Sequence, residues 1–168
     1  RICKNSGYFL EHDEIKYVLV GDGKEKANLI QKARESGLTN VLFLPPVPKN
    51  QMAEVIAAAD ACIAILKPLE LYKTTYPNKV FDYLAAGRPI LQVIDGVSRE
   101  VVEAAGAGIY VPPGDSDALA AAVIELASDR NKAKTMGANG RAYVVDHFDR
   151  RQLAQEFESP FFGLLKNC

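Results

Sequence analysis

The chain is poor in the residues that most often build metal or redox chemistry: three cysteines and two histidines among 168 residues. Cys3, Cys62 and Cys168 are widely scattered, and no pair stands at a zinc-ligand spacing. An odd count with no disulfide framework points to a reducing compartment. His12 and His147 are far apart in patterns that read as surface helices, so both are taken as structural or solvated. No metal site is expected, and no residue stands out as catalytic. No apolar run approaches the roughly 18 residues needed to span a bilayer, and the start lacks a basic-plus-apolar leader. A net charge of -1 removes any bulk electrostatic reason for a nucleic-acid surface.

What remains has ordinary globular composition, 48% apolar and 24% charged, in a length that suits one domain with a sizeable core. Apolar runs of four to seven residues alternate with helical patterns of nine to thirteen. Strands are expected at 14–20, 41–44, 61–66, 89–94 and 108–111. Helices are expected at 24–36, 49–59, 77–86, 98–105, 115–127, 130–146 and 149–165, with a kink or stop at Pro160. Residues 1–13 read as the tail of an amphipathic helix. This βαβ alternation predicts an α/β domain, a Rossmann-like parallel sheet covered by helices on both faces. The chain opens on Arg1 and in a helix tail, so a first strand and most of a first helix are expected to lie outside it.

Ligands of such sheets bind beyond the carboxyl ends of the strands. The loops on that edge hold Gly21-Asp22-Gly23, Pro45-Pro46-Val47, residues 67–76, Asp95 to Arg99 and Pro112 to Asp115. Gly21-Asp22-Gly23 begins like a dinucleotide fingerprint, but Lys26 stands where the third glycine belongs, which favours a plain strand-to-helix turn. The stronger anion site is the helix opened by Pro77-Asn78-Lys79. Its first-turn N–H groups have no partner within the helix, and the helix dipole adds positive charge there. Pro77 suits the first helical position and Gly87 the residue just past the end. Asp82, in the second turn, has the chemistry to accept hydrogen bonds from a ribose.

Taken together, Tyr-Val-Leu-Val-Gly-Asp-Gly (17–23), Val-Leu-Phe-Leu-Pro-Pro-Val (41–47), Pro-Asn-Lys-Val-Phe-Asp-Tyr-Leu-Ala-Ala-Gly-Arg-Pro-Ile (77–90), the run 99–115 and Phe148-Asp149-Arg150 resemble the C-terminal, nucleotide-sugar-binding domain of a GT-B glycosyltransferase of family 4. Order and spacing over nearly the whole chain carry the resemblance. It implies one donor-binding domain over 1–168, the C-terminal half of a two-domain retaining enzyme whose N-terminal acceptor domain is absent here. It implies that Pro46 and Val47 meet the base, that the backbone of Asn78, Lys79 and Val80 holds the diphosphate, and that Asp82 holds the ribose. Gly21 and Gly23 complete the expected donor-binding set. So does Thr74, which stands where the family usually places a sugar-contacting glutamate.

The substrate implied is a nucleotide-sugar, UDP-linked in the commonest case, with no further cofactor; the acceptor is a saccharide or lipid-linked glycan, as in polysaccharide biosynthesis. The expected location is cytoplasmic, peripheral to a membrane at most in the intact enzyme, and the chain alone is expected to lack a complete active site. Two rivals fit less well. An NAD-binding Rossmann module lacks its full glycine fingerprint here, and a response-regulator-like binding domain lacks clustered aspartates at the strand ends.

Overall fold

The computed structural model describes His12, residues 14–149 and Ala154. Five short apolar strands alternate with helices among these residues. In order they are β1 (Tyr17–Val20), α1 (Lys26–Glu35), β2 (Val41–Leu44), a 3-10 turn (Lys49–Gln51) running into α2 (Met52–Ala57), β3 (Cys62–Ile65) and α3 (Glu70–Lys73). Then follow α4 (Asn78–Ala85), β4 (Ile90–Val93), α5 (Val97–Ala104), β5 (Gly108–Tyr110), α6 (Ser116–Ser128) and α7 (Arg130–Phe148). Every strand pair is parallel, as helical crossovers require.

The strands do not form the single sheet expected from the sequence. β1 pairs only with β2, and a separate sheet has the order β3-β4-β5. The two sheets also differ in burial. All four residues of β4 are buried, whereas no residue of β1 or β2 is, although both strands are wholly apolar. Helices therefore cover β4 on both faces but leave Val18, Leu19, Leu42 and Leu44 exposed.

Other departures are local. Pro77 is the N-cap of α4 and not its first helical residue, with extended φ −68° and ψ 126°. The loop over 67–76, expected to be irregular, contains the single turn α3. The helix expected over 49–59 starts as a 3-10 turn behind Pro48. His147 lies in the exposed last turn of α7, whereas His12 is outside any helix. Apart from Asp149 and Ala154, the expected helix over 149–165 lies outside the described residues, as do the helix tail at 1–13 apart from His12 and the residues Cys3, Pro160 and Cys168.

The core lies against the three-stranded sheet. On one face Val80 and Leu84 of α4 pack with Ala64, Ile90, Val102 and Ala107; on the other, Ala122 and Leu126 of α6 pack with Leu91, Val93 and Val111. Asp115 caps α6 by accepting the Ala118 amide at 2.9 Å, and Asp129 caps α7 through the Lys132 amide at 2.8 Å, each interaction worth about 1 kcal/mol. α7 lies directly on α4, and two buried glycines permit the approach. A Cβ on Gly137 would collide with the Gly87 carbonyl, which is backbone and cannot yield. A Cβ on Gly140 would meet Leu84 Cδ2 at 2.7 Å and Ala107 Cβ at 3.0 Å, side-chain atoms of two fully buried residues that can give only a little.

These two glycines should therefore respond differently to alanine. Each substitution adds about 1 kcal/mol of helix propensity. At Gly137 a backbone clash opposes it, with an overpacking cost of about 1–3 kcal/mol. Urea denaturation should show both variants destabilised, Gly137→Ala distinctly more than Gly140→Ala; equal losses would place the tight contact elsewhere.

Candidate functional site

The carboxyl ends of β3, β4 and β5 bring three loops to one edge, and the sequence of each explains how it is held. Leaving β3, the chain turns once as α3, and the Thr74 and Thr75 hydroxyls both donate to the Leu71 carbonyl at 3.1 and 2.9 Å. Glu70 pairs with Lys73 at 2.9 Å across that turn. The loop after β4 then passes under this turn. Gly96, at φ 86° and ψ −151°, lies so close to the Lys73 backbone that a Cβ would overlap it. Only glycine satisfies both the dihedral and the contact.

Arg99 ties the second loop to the third. Its guanidinium lies 3.8 Å over the Tyr110 ring, and it pairs with Glu103 at 2.8 Å and Asp95 at 3.5 Å. These groups are substantially exposed, so the ion pairs contribute little stability; their effect is to fix orientation. Beneath them lies a buried polar pair. Gln92 Nε2 donates to the Ile94 carbonyl and to Ser98 Oγ, both at 2.9 Å, and so fastens the end of β4 to the start of α5. The Gln92 side-chain oxygen is buried without a partner.

At the mouth of this edge stands α4. Lys79 is half-buried, its Nζ donates to the Ile65 carbonyl at 3.1 Å, and burial pushes its ammonium below the usual lysine range. Asn78 and Asp82 are exposed beside it. Val80 differs: its side chain is fully buried in the core, and its amide donates to the Pro77 carbonyl at 3.0 Å. The first turn therefore presents chiefly the Asn78 and Lys79 amides. An aromatic contact continues from Tyr76 to Phe81 (6.1 Å between ring centroids) and from Phe81 to Phe148 (4.9 Å), joining this loop to the end of α7.

The remaining residues expected at the site lie on the other sheet. Gly21 and Gly23 line a cleft of about 370 Å³ with Asp22, Lys26, Leu29 and Phe43. The lysine at the third-glycine position has a local function. Its Nζ donates to the Gly21 and Leu44 carbonyls at 2.8 and 2.9 Å, closing the ends of β1 and β2. Pro46 is exposed and Val47 half-buried beyond β2. Thr74 is exposed, with its hydroxyl proton engaged by Leu71. Asn78, Lys79, Val80 and Asp82 thus share one helix end, Thr74 sits on the loop before it, and Gly21, Gly23, Pro46 and Val47 belong to the β1-β2 half.

Sequence reasoning reached the loop from Asp95 to Arg99 but did not single out Gly96, Arg99, Tyr110 or the Gln92–Ser98 pair. Two signals were present: a glutamine inside an apolar strand, and charges at i, i+4 and i+8 in Asp95, Arg99 and Glu103.

Comparison with known proteins finds relatives in sequence and in fold. The sequence model of a family described as "Glycosyl transferases group 1" matches residues 5–129. The N-acetyl-alpha-D-glucosaminyl L-malate synthase of Bacillus anthracis is 24% identical over 92% of this chain and 39% of its own length. A GDP-mannose-dependent monoacylated alpha-(1-6)-phosphatidylinositol monomannoside mannosyltransferase of Corynebacterium glutamicum is 30% identical over 78% of this chain and 34% of its own. The chain therefore spans well under half the length of these relatives. Among solved structures, the sucrose-phosphate synthase of Thermosynechococcus elongatus superposes with a TM-score of 0.76 at 21% identity, covering 100% of this chain and 44% of that one. Anabaena Alr3699/HepE, solved in complex with UDP-glucose, does so with a TM-score of 0.72 at 23% identity, covering 90% and 44%. These likenesses establish a shared fold. Among the described residues, no helix is long and apolar enough to cross a membrane.

The Gly96 contact makes a prediction about the site that is separable from any ligand. Gly96→Ala carries both a positive-φ penalty and a backbone clash, together about 1–3 kcal/mol. Amide exchange should accelerate across residues 70–76 and 95–99 while the Val80–Leu84 amides keep their protection. Uniform acceleration throughout the sheet would show that the glycine supports the whole fold and not this pair of loops.

Proposed function

We propose, from the premise that this chain belongs to the glycosyl transferases group 1 family, that it is the C-terminal, donor-binding half of a retaining family-4 enzyme of the GT-B kind. The observation that carries this reading is the start of α4. Two first-turn amides, at Asn78 and Lys79, and a half-buried ammonium face the carboxyl edge of β3, with the exposed Asp82 carboxylate one turn further on. Amides at a helix start and a lysine suit a diphosphate, and a carboxylate one turn away suits the two hydroxyls of a ribose. In this reading a nucleoside diphosphate lies along the helix end, and the resemblance puts its base at Pro46 and Val47.

In this reading the sugar leaves a nucleoside diphosphate, UDP in the first instance, for an acceptor hydroxyl on a saccharide or lipid-linked glycan, with the anomeric configuration kept. Helix dipole, amides and Lys79 stabilise the departing diphosphate, charge that develops in the transition state. Val80 contributes by packing, since its amide already serves Pro77. Thr74 holds the approach loop in shape through Leu71 and does not replace a glutamate's negative charge. The acceptor side of the cleft comes from a second domain, so the chain alone binds donor and does not transfer sugar.

Titration calorimetry with UDP, GDP and ADP tests this reading. One nucleotide should bind preferentially. Asp82→Ala and Lys79→Ala should each weaken it about tenfold or more, equivalent to roughly 1.4 kcal/mol, with thermal stability little changed for the exposed Asp82. Equal affinity for all three nucleotides, unaffected by Asp82→Ala, would refute the ribose assignment. Sugar transfer by the isolated chain would refute the half-site.

A further inference from the structure

We propose that the turn α3 and its flanks form a lipid-docking tip, in which Leu69, Leu71 and Tyr76 enter the interface of an anionic bilayer while Lys67 and Lys73 meet its phosphate groups. Such docking is independent of which nucleotide the neighbouring site takes. Exposure singles out this turn. Leu71 is 71% exposed, Tyr76 53% and Leu69 51%, three large side chains within eight residues. The other exposed large apolar residues belong to β1 and β2 or to the end of β3, or, like Val145, stand alone on α7. A lone exposed side chain is ordinary, whereas a cluster marks an interaction surface.

The turn is not a loose loop whose apolar groups can fold inward. The Leu71 carbonyl accepts the Thr74 and Thr75 hydroxyls at 3.1 and 2.9 Å. The Lys73 backbone rests on Gly96. The Tyr76 ring lies 6.1 Å from that of Phe81, which packs in turn on Phe148. Leu71 is thus presented to solvent by a scaffold fixed at three points. Contacts made by groups already held in place cost little ordering entropy.

The charges identify the partner. Lys67 and Lys73 flank the two leucines, and Glu70 is the sole acid between 67 and 79. Glu70 is paired with Lys73 at 2.9 Å, and on the loop beneath, Asp95 is paired with Arg99 at 3.5 Å. Lys67 is exposed and enters no ion pair among the described residues. Apolar side chains with lysines and a tyrosine at their rim suit the boundary between lipid headgroups and acyl chains. There leucines leave water, a phenol sits at headgroup level and ammonium groups meet lipid phosphate. The turn shares its edge of the sheet with the start of α4. Under the donor-binding reading proposed above, docking therefore sets the donor site beside the surface that carries a lipid-linked acceptor.

The chain contains no tryptophan, so one introduced indole reports its own surroundings. With vesicles of phosphatidylcholine mixed with phosphatidylglycerol, Leu71→Trp should show blue-shifted emission that brominated acyl chains quench. Val145→Trp, at an exposed position on α7, should show neither. In sedimentation with the same vesicles, Leu69→Ser combined with Leu71→Ser should weaken binding about tenfold or more. Both positions are exposed, so the thermal midpoint should stay near the parent's. Vesicles of phosphatidylcholine alone should bind the parent about tenfold more weakly than the mixed ones. No shift at Leu71→Trp, or equal shifts at both positions, overturns the tip. Binding that survives the double serine substitution, or that is as tight without phosphatidylglycerol, overturns it as well. So does a blue shift at Leu71→Trp that rises with protein concentration in the absence of vesicles, because a second copy then covers the leucines.

Discussion

The parallel pairing of β4 between β3 and β5 is the constraint on which the rest of the molecule depends. It is the strand buried at every position, and its two faces organise both core clusters. The pairing also decides where chemistry can occur. Three parallel strands end at one edge, so the loops after β3, β4 and β5 must share it. Their contacts run from Lys73 to Gly96 and from Arg99 to Tyr110. Gln92 enforces this from within. A glutamine in a dry strand is costly unless its donors are used, and here the amide holds Ile94 and Ser98 in the geometry that brings Gly96 under Lys73. The buried, unpartnered Gln92 oxygen remains as a local cost of this fastening.

Most of this architecture was legible in the sequence because its signals are local. Apolar runs bounded by glycine and proline located the strands to within a few residues, and Val41–Leu44 matched at both ends. The start of the helix expected from 115 was readable because the Asp115 side chain bonds an amide three residues on. Gly87 was readable as a stop because α4 ends just before it with φ 66°. What could not be read depends on distant partners. Nothing near Gly96 announces that Lys73 will lie against it, and nothing near Gly137 announces the Gly87 carbonyl. The extra turn α3 was missed because it is one turn long and held by hydroxyls that are equally at home in a loop. The single sheet expected from alternation became two because pairing, unlike strand formation, needs a neighbour.

The candidate site was legible in type more than in detail. The helix start at Asn78 and Lys79 followed from Pro77 and from its place after an apolar strand. Val80 was grouped with them by the family resemblance, and burial separates it: a fully enclosed side chain fixes the helix while its amide is already engaged. Lys26, read as a defect in a glycine fingerprint, closes two strand ends through Gly21 and Leu44. The position that weakens one motif thus completes a different local structure.

The two half-sheets are held with unequal firmness. On the β3-β4-β5 side, α4 is packed through Val80 and Leu84 and fixed again by α7 at Gly137 and Gly140. Groups there are held in place before a ligand arrives, so little ordering entropy opposes their contacts. On the other side, α1 buries only Ala33 and β1 and β2 bury nothing. Sparse burial of this kind marks regions that open with little free energy. Gly21, Gly23, Pro46 and Val47 all belong to that side. Under the proposed donor-binding reading, diphosphate and ribose contacts would therefore supply most of the affinity, while base recognition would be weakened by the cost of ordering the half that carries it. The same division shows in the sheet itself, since among the described residues β1 pairs only with β2 and β3 only with β4.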